Sequence, residues 1–225
     1  MDGNGRWASR RGLPRLAGHR EGVKPLKRIV RLCSKLGIQY LTAYAFSNEN
    51  WERPKMEVSG LMELFFETVA AELEDLNKNG VKIVLIGNRE LIPSRVLKRF
   101  EEAEAATINN NVVVLNIAFS YGSRQEILEA VKKVSSDIQS KKIQINDINE
   151  NYFSSLLLTR ECPDPDLLIR TSGELRISNF LLWQIAYSEL YFTKTLWPDF
   201  SDGEFLRAVS DYQYRNRRFG KIQSK

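Results

Sequence analysis

The first chemically loaded run in the sequence is Asp2-Gly3-Asn4-Gly5-Arg6, which places a carboxylate, two glycines and a guanidinium in immediate succession. Glycines let backbone amides approach a ligand closely, and arginine pairs with phosphate oxygens in a fork. The run therefore reads as a diphosphate cradle with a metal-ligating carboxylate, or as an ordinary turn beside charges. Gly3, Gly5 and Ala8 also satisfy the loose dinucleotide-binding fingerprint, which requires a preceding strand. His19 is the sole histidine; Gly18 and Gly22 flank it, and Arg15 and Arg20 lie close by. It suits a phosphate site or a surface turn, and without a second histidine or cysteine nearby it does not suggest a nitrogen and sulfur metal centre. A third cluster surrounds Gly173, where Arg170, Arg176 and Ser178 bracket a run of small hydroxyl residues. Two guanidiniums there can neutralise one diphosphate; the alternative is a pair of solvated loop arginines.

These clusters need a scaffold that holds them still. Short β-rich runs occur at 38–46, 81–86, 112–118, 166–169 and 189–192. Helical patterns cover 22–36, 57–78, 93–108, 123–139 and 202–214, several opening on proline or a capping residue. Strands alternating with amphipathic helices predict an α/β fold, a single domain over 1–225, with a mostly parallel central sheet and helices on both faces. Such a sheet binds ligands at the carboxyl ends of its strands. Residues 47–53, 121–124 and 170–178 all follow predicted strands. Residues 141–150 are polar and Asn-rich and read as a surface excursion. Phe180, Leu181, Leu182, Ile185 and Ala186, with Trp183, are most simply core. Leu61, Leu64, Phe65, Val69 and Leu73 share a helix face that could pack a core or line a cavity for a long chain.

The 225 residues are 43% hydrophobic and 27% charged, an ordinary globular composition. No apolar run is long enough to span a bilayer, and the start lacks a signal-peptide core. Cytoplasmic placement follows, with Cys33 and Cys162 as two buried thiols. The net charge of +5 is unevenly spread: residues 1–31 carry nine Arg or Lys against Asp2 and Glu21, and 212–225 carry five basic residues and no acid. Basic ends on an acidic body suggest a localised anionic partner, which could be phosphate groups, nucleic acid or a membrane surface.

Read together, 1–8, Gly18-His19-Arg20-Glu21-Gly22, the run from Tyr44 to Pro54 and the run 166–179 resemble the cis-prenyltransferases, the undecaprenyl diphosphate synthase family. Residues 179–192, Leu196-Trp197-Pro198 and 215–220 continue the likeness over nearly the whole chain. The resemblance implies condensation of isopentenyl diphosphate with an allylic diphosphate, farnesyl diphosphate being the expected primer. It implies a cis-polyprenyl diphosphate as product, undecaprenyl diphosphate by default, and an apolar tunnel for the growing chain. Asp2 matches the catalytic aspartate that holds Mg2+ against the allylic diphosphate. Gly3, Asn4, Gly5, Arg6 and Trp7, with Arg15 and His19, match that diphosphate's cradle. Ser47, Asn48, Glu49, Trp51 and Arg53 match a loop that closes over both substrates, and Asn50 matches the residue assigned there as proton acceptor. A neutral amide is a weak base at pH 7, so the alternative is that Asn50 orients substrate while a diphosphate oxygen takes the proton. Arg170, Arg176, Ile177 and Ser178 match the isopentenyl diphosphate pocket. Glu189 matches a second magnesium ligand reaching across a homodimer interface.

The family's members carry an apolar strand directly before the aspartate, so the true start is expected upstream of Met1. Residues 117–124 depart from the family's Asn and Gly-Gly pattern around the tyrosine, and Leu175 stands where some relatives are polar. Transient contact with the inner face of a membrane is expected of an enzyme with basic ends and a long lipid product. Nucleic acid is not an expected partner, although the aromatic and basic run 212–219 gives a nucleic-acid-binding module as one rival reading. A nicotinamide-dependent oxidoreductase and a non-catalytic prenyltransferase subunit are the others.

Overall fold

In chain order the helices and strands of the computed structural model are α1 (Asn4–Ser9), α2 (Arg15–Glu21), α3 (Val23–Leu36), β1 (Tyr40–Ser47), α4 (Lys55–Lys78), β2 (Val81–Ile86), α5 (Ser94–Thr107), β3 (Val113–Tyr121), α6 (Ser123–Gln139), α7 (Glu150–Ser154), β4 (Leu167–Arg170), β5 (Glu189–Phe192) and α8 (Asp202–Tyr214). The structure describes residues 1–216. All strand pairs are parallel, as the alternating pattern predicts, and the strands form one sheet ordered β1-β3-β2 and a second made of β4 and β5. The described chain divides into two compact units: residues 1–32, 164–177 and 184–216 form one, and 33–163 with 178–183 form the other.

In the second unit β3 is the central strand, and its near-continuous apolar run (Val113, Leu115, Ala118, Phe119) is buried as a strand covered on both faces must be. Its neighbour β1 loses register after Tyr44, and the bulged end carries Ser47 into a 3-10 turn over Asn48–Glu52. Phe119 sits at the centre of an aromatic cluster, with ring centroids 5.3 Å from Phe46, 4.5 Å from Phe65 and 5.5 Å from Phe100. On α5, Val96, Phe100, Ala103 and Thr107 recur at helical spacing and are buried, where that helix packs on α4 and β2. Residues 141–150 are exposed apart from the half-buried Ile143, the surface excursion their composition predicts.

In the first unit, α1 and α2 cross so closely that a side chain on Gly18 would strike the backbone oxygen of Asn4. The Trp197 indole donates to the Gly22 carbonyl at 2.7 Å and stacks on Phe200 at 5.7 Å. The Ser201 hydroxyl caps α8 by accepting from the Glu204 amide at 3.2 Å. Arg28 donates to the Phe200 carbonyl and to Asp202, both at 3.1 Å, and so fastens α3 to the start of that helix.

Three expectations need correction. Residues 2–6 are not only a turn: Gly3, left-handed with φ 109, turns the chain into α1 from Asn4 onward. The stretch 180–186 is partly core; Leu181 and Ile185 are buried, but Leu182 and Ala186 are exposed because this stretch is irregular rather than one amphipathic helix. Of the two thiols only Cys33 is buried; Cys162 is half-buried, accepting a hydrogen bond from Asn116 at 3.4 Å.

Candidate functional site

In the first unit the polar cluster is assembled from both ends of the sequence. The Asp2 backbone is clamped by Thr171, whose hydroxyl accepts from the Asp2 amide at 3.0 Å and donates to the Asp2 carbonyl at 2.7 Å. The same carbonyl accepts from the Trp197 amide at 3.0 Å. That clamp aims the Asp2 carboxylate at two arginines: Arg170, the last residue of β4, at 3.1 Å, and Arg6, one turn along, at 3.3 Å. Arg6 also donates to the Ser172 carbonyl and hydroxyl and to Glu174. The second Glu174 oxygen pairs with Arg176, whose carbonyl accepts from Arg170. Burial alone would raise the Asp2 pKa; the hydrogen bond from Arg170, the charges of Arg6 and Arg170 and the Ser172 hydroxyl outweigh it and hold the carboxyl below the usual range. The carboxylate is thus ionised at neutral pH with guanidiniums on both oxygens.

Gly5 leaves room for a neighbouring cation. A Cβ at Gly5 would lie 2.9 Å from the guanidinium carbon of Arg15, so Arg15 rests directly against the α1 backbone. His19 lies four residues further along α2, on the same helix face as Arg15. Trp7 has a different employment: its indole donates to Asp199 at 2.7 Å while Arg11 stacks over its ring at 4.1 Å. Glu189 does not join Asp2. It opens β5 opposite Leu167, at the far end of the strand pair from Arg170, and pairs with Arg215 at 2.9 Å. No group of three or more His, Cys, Asp or Glu side chains placed to hold a metal occurs among the described residues.

The second unit builds a separate polar turn. The Asn50 Oδ1 accepts from the Ser47 amide at 3.1 Å, closing a capping box over the 3-10 turn. The Trp51 indole donates to the Ser120 hydroxyl at 2.9 Å, which in turn donates to Asn48 Oδ1 at 3.3 Å. Ser120 is fully buried with φ 50, a left-handed conformation for a residue with a side chain. Arg53 pairs with Glu57 at 3.1 Å, and Glu49 accepts from Asn179 at 2.9 Å. Burial raises the Glu49 pKa, but the Asn179 hydrogen bond, with those of its own backbone amide and Ser47, leaves it lowered.

The fold thus gathers Asp2, Arg6, Arg170 and Arg176 in one unit and Ser47 to Trp51 in the other. Thr171, Ser172 and Glu174, which complete the first cluster, and Ser120 and Asn179, which complete the second, were not singled out from sequence. The hydroxyl-rich character of 171–172 was the available signal for the former.

A parallel α/β chain with an ionised carboxylate and three guanidiniums gathered where a strand ends has the equipment of a protein that handles phosphorylated ligands. Comparison with known proteins narrows this. Residues 1–220 match the family model described as "Putative undecaprenyl diphosphate synthase". The chain is 51% identical over 223 residues to an isoprenyl transferase of Clostridium perfringens, covering 99% of this chain and 88% of that one. It is 50% identical over 224 residues to an isoprenyl transferase of Prochlorococcus marinus, covering 100% and 82%. Among solved structures it resembles the lavandulyl diphosphate synthase from Lavandula x intermedia in complex with dimethylallyl diphosphate, at a TM-score of 0.95 and 35% identity over 98% of this chain and 95% of that one. The chain belongs to the undecaprenyl diphosphate synthase family of prenyltransferases.

Proposed function

We propose that this protein extends an allylic diphosphate, farnesyl diphosphate by preference, with isopentenyl diphosphate to give a cis-polyprenyl diphosphate of undecaprenyl length. The observation that carries this reading is the Asp2 carboxylate held ionised between Arg6 and Arg170, with Arg176 and Ser172 in the same hydrogen-bonded cluster. The lavandulyl synthase was solved with dimethylallyl diphosphate, which supports an allylic diphosphate as the ligand of this fold. Identity near 50% to isoprenyl transferases, against 35% to that synthase, favours regular chain elongation over other couplings.

In this reading Arg6, Arg15 and His19, with the amides of Gly3 to Gly5, hold the allylic diphosphate, beside Asn4 and Trp7. Arg170, Arg176, Ile177 and Ser178 hold that of the isopentenyl substrate. When the allylic carbon–oxygen bond breaks, its electron pair passes to the departing diphosphate, and the guanidiniums stabilise the charge that develops there. The isopentenyl double bond supplies the electrons of the new carbon–carbon bond, and a proton is lost to restore neutrality. The Asn50 oxygen accepts from the Ser47 amide, a bond that holds the loop of Ser47, Asn48, Glu49, Trp51 and Arg53 in shape; because a neutral amide is a weak base, a diphosphate oxygen takes the proton.

The donor set at Asp2 fits magnesium, which is commonly bound through one or two carboxylates together with substrate phosphates. Asp2 would hold it, and the bound ion would neutralise charge on the leaving diphosphate. Glu189 would contribute only from a second copy of the chain, in a homodimer. No helix among the described residues is long and apolar enough to cross a membrane; transient contact with a membrane surface is proposed from the basic ends and the lipid product. Of the basic run 212–219, Arg215 pairs with Glu189 and Asp211, and 217–219 lie outside the described residues.

The test incubates the protein with farnesyl diphosphate, labelled isopentenyl diphosphate and magnesium, beside Asp2→Ala and EDTA-treated samples and one given dimethylallyl diphosphate alone. A product ladder lost in the mutant and with EDTA is expected. Product from dimethylallyl diphosphate alone, with no ladder, would reject elongation.

A further inference from the structure

Helix α6 opens on Gly122, which offers no side chain to cap it. The cap comes instead from a residue 55 positions away. The Asn179 backbone carbonyl accepts from the Ser123 amide at 2.8 Å, and its Oδ1 accepts from the Arg124 amide at 2.8 Å. Two of the orphan donors at the head of α6 are satisfied this way. Because a backbone N–H fixes which side-chain atom is the oxygen, the Asn179 Nδ2 must point the other way. There it donates to Glu49 Oε1 at 2.9 Å and to Gln125 Oε1 at 3.1 Å.

The backbone that allows this is unusual. Ser178, Asn179 and Leu181 all have positive φ, at 54, 60 and 47. Non-glycine residues held there cost about 1–3 kcal/mol each and persist when surroundings over-determine them. Asparagine is among the residues that best tolerate the left-handed region. Gly122 leaves the required space: a Cβ there would fall 2.8 Å from Asn179 Nδ2 and 3.1 Å from Asn48 Nδ2. The turn that carries Glu49 is also tied down on its Asn48 and Trp51 side, through Ser120.

We propose that Asn179 is a positioning residue for the loop Ser47–Arg53, fixing Glu49 relative to the head of α6. The proposal rests on the reading of that loop as substrate-binding. Asn179→Asp keeps the size, the tolerance of left-handed backbone and the oxygen that caps α6. It removes the donor toward Glu49 and sets two carboxylates against each other. A Gln at position 49 can donate to the new Asp, so the comparison is a double-mutant cycle of N179D and E49Q, with E49Q as its own baseline.

With farnesyl and isopentenyl diphosphates, N179D should lower kcat/KM by about tenfold or more when Glu49 is present and by no more than about threefold in the E49Q background. Hydrogen exchange of the amides at 48–52 should accelerate in N179D and recover in the double variant, while those of Ser123 and Arg124 stay protected. Equal losses in both backgrounds, or unchanged exchange at 48–52, would overturn the proposal. Accelerated exchange with turnover intact would show that the contact exists but does not serve the reaction, which also overturns it. Absence of any product from the unaltered protein would instead defeat the functional reading on which it stands.

Discussion

Gly18 is where the geometry of the first unit is least forgiving. A Cβ added there would lie 2.0 Å from the Asn4 carbonyl oxygen, 2.8 Å from its carbon and 3.2 Å from the Ala8 Cβ. The obstacle is backbone, so no side chain can swing away, and merely reaching the 3.0 Å below which Cβ contacts do not occur requires about 1 Å of separation between α1 and α2. Two effects compete in Gly18→Ala. Alanine in a helix interior gains about 1 kcal/mol over glycine, while overpacking costs about 1–3 kcal/mol. Overpacking wins, for a net loss of up to about 2 kcal/mol, equivalent to a fall in Tm of several degrees. The effect on chemistry should be larger, because α1 carries Asn4 to Arg6 and follows Asp2 directly. A misplacement of about 1 Å can cost about a hundredfold in rate. The control is Gly203→Ala on α8, where the new Cβ meets nothing nearer than 3.8 Å, so about 0.4–1 kcal/mol should be gained. Thermal denaturation and product assays on both variants decide it. A G18A protein as stable and active as the parent would mean that α1 and α2 do not cross as described, and the account of how Asp2 is positioned would fall with it.

Other consequences can be measured directly. Asp2→Asn should fold and retain less than about 1% of turnover, since it removes the charge that on the proposed reading would hold magnesium against the diphosphate; comparable activity would remove Asp2 from the mechanism. The Asp2 carboxyl has a folded pKa below its unfolded value near 3.8, so it adds stability above that pH and loses it as pH falls through the folded value. The stability gap between the parent and D2N in acid titration should therefore close below about pH 4, its size kept to about 1 kcal/mol or less by solvent screening; a gap that widened there would contradict the sign. Trp51→Phe keeps the edge contact with Phe46 but loses the bond to Ser120, and should cost about 0.5–1.5 kcal/mol by chemical denaturation. Burial pushes the Cys33 thiol up to about 12, so thiol labelling at pH 8 should modify Cys162 first and reach Cys33 only on unfolding; equal rates would deny that burial.

What could be read in advance follows from the length and periodicity of each element. α6, α8 and β5 begin and end where their patterns place them, because each couples a regular apolar face or run to a clear boundary, such as Ser201 before α8. The first strand lies two residues later at its start and one later at its end than its pattern, and the bulge after Tyr44 carries the pairing on to Ser47. α1 and α2 escaped notice because six and seven residues hold too few turns for an apolar stripe. For the site, Asp2, Arg6 and Arg170 were legible as charge types, and the structure pairs them. Thr171 and Asn179 were not, because their roles depend on backbone bonds to residues 169 and 56 positions away, which no local pattern encodes.

If the proposed reading holds, the arrangement around Asp2 implies that diphosphate and cation bind together. Arg6, Arg170 and Arg176 face Asp2 and Glu174, so these five groups carry one more positive than negative charge. The surplus attracts an anion, but both carboxylates already occupy guanidinium donors that a diphosphate would use. A diphosphate entering alone would have to compete with them and would leave Asp2 beside its own negative oxygens, an unfavourable contact in a partly buried setting. On the proposed reading, a divalent cation held by Asp2 would offset that repulsion, and Arg6 and Arg170 would then be available to pair with phosphate. The lowered pKa of Asp2 would serve the same end, since a protonated carboxyl binds a cation poorly.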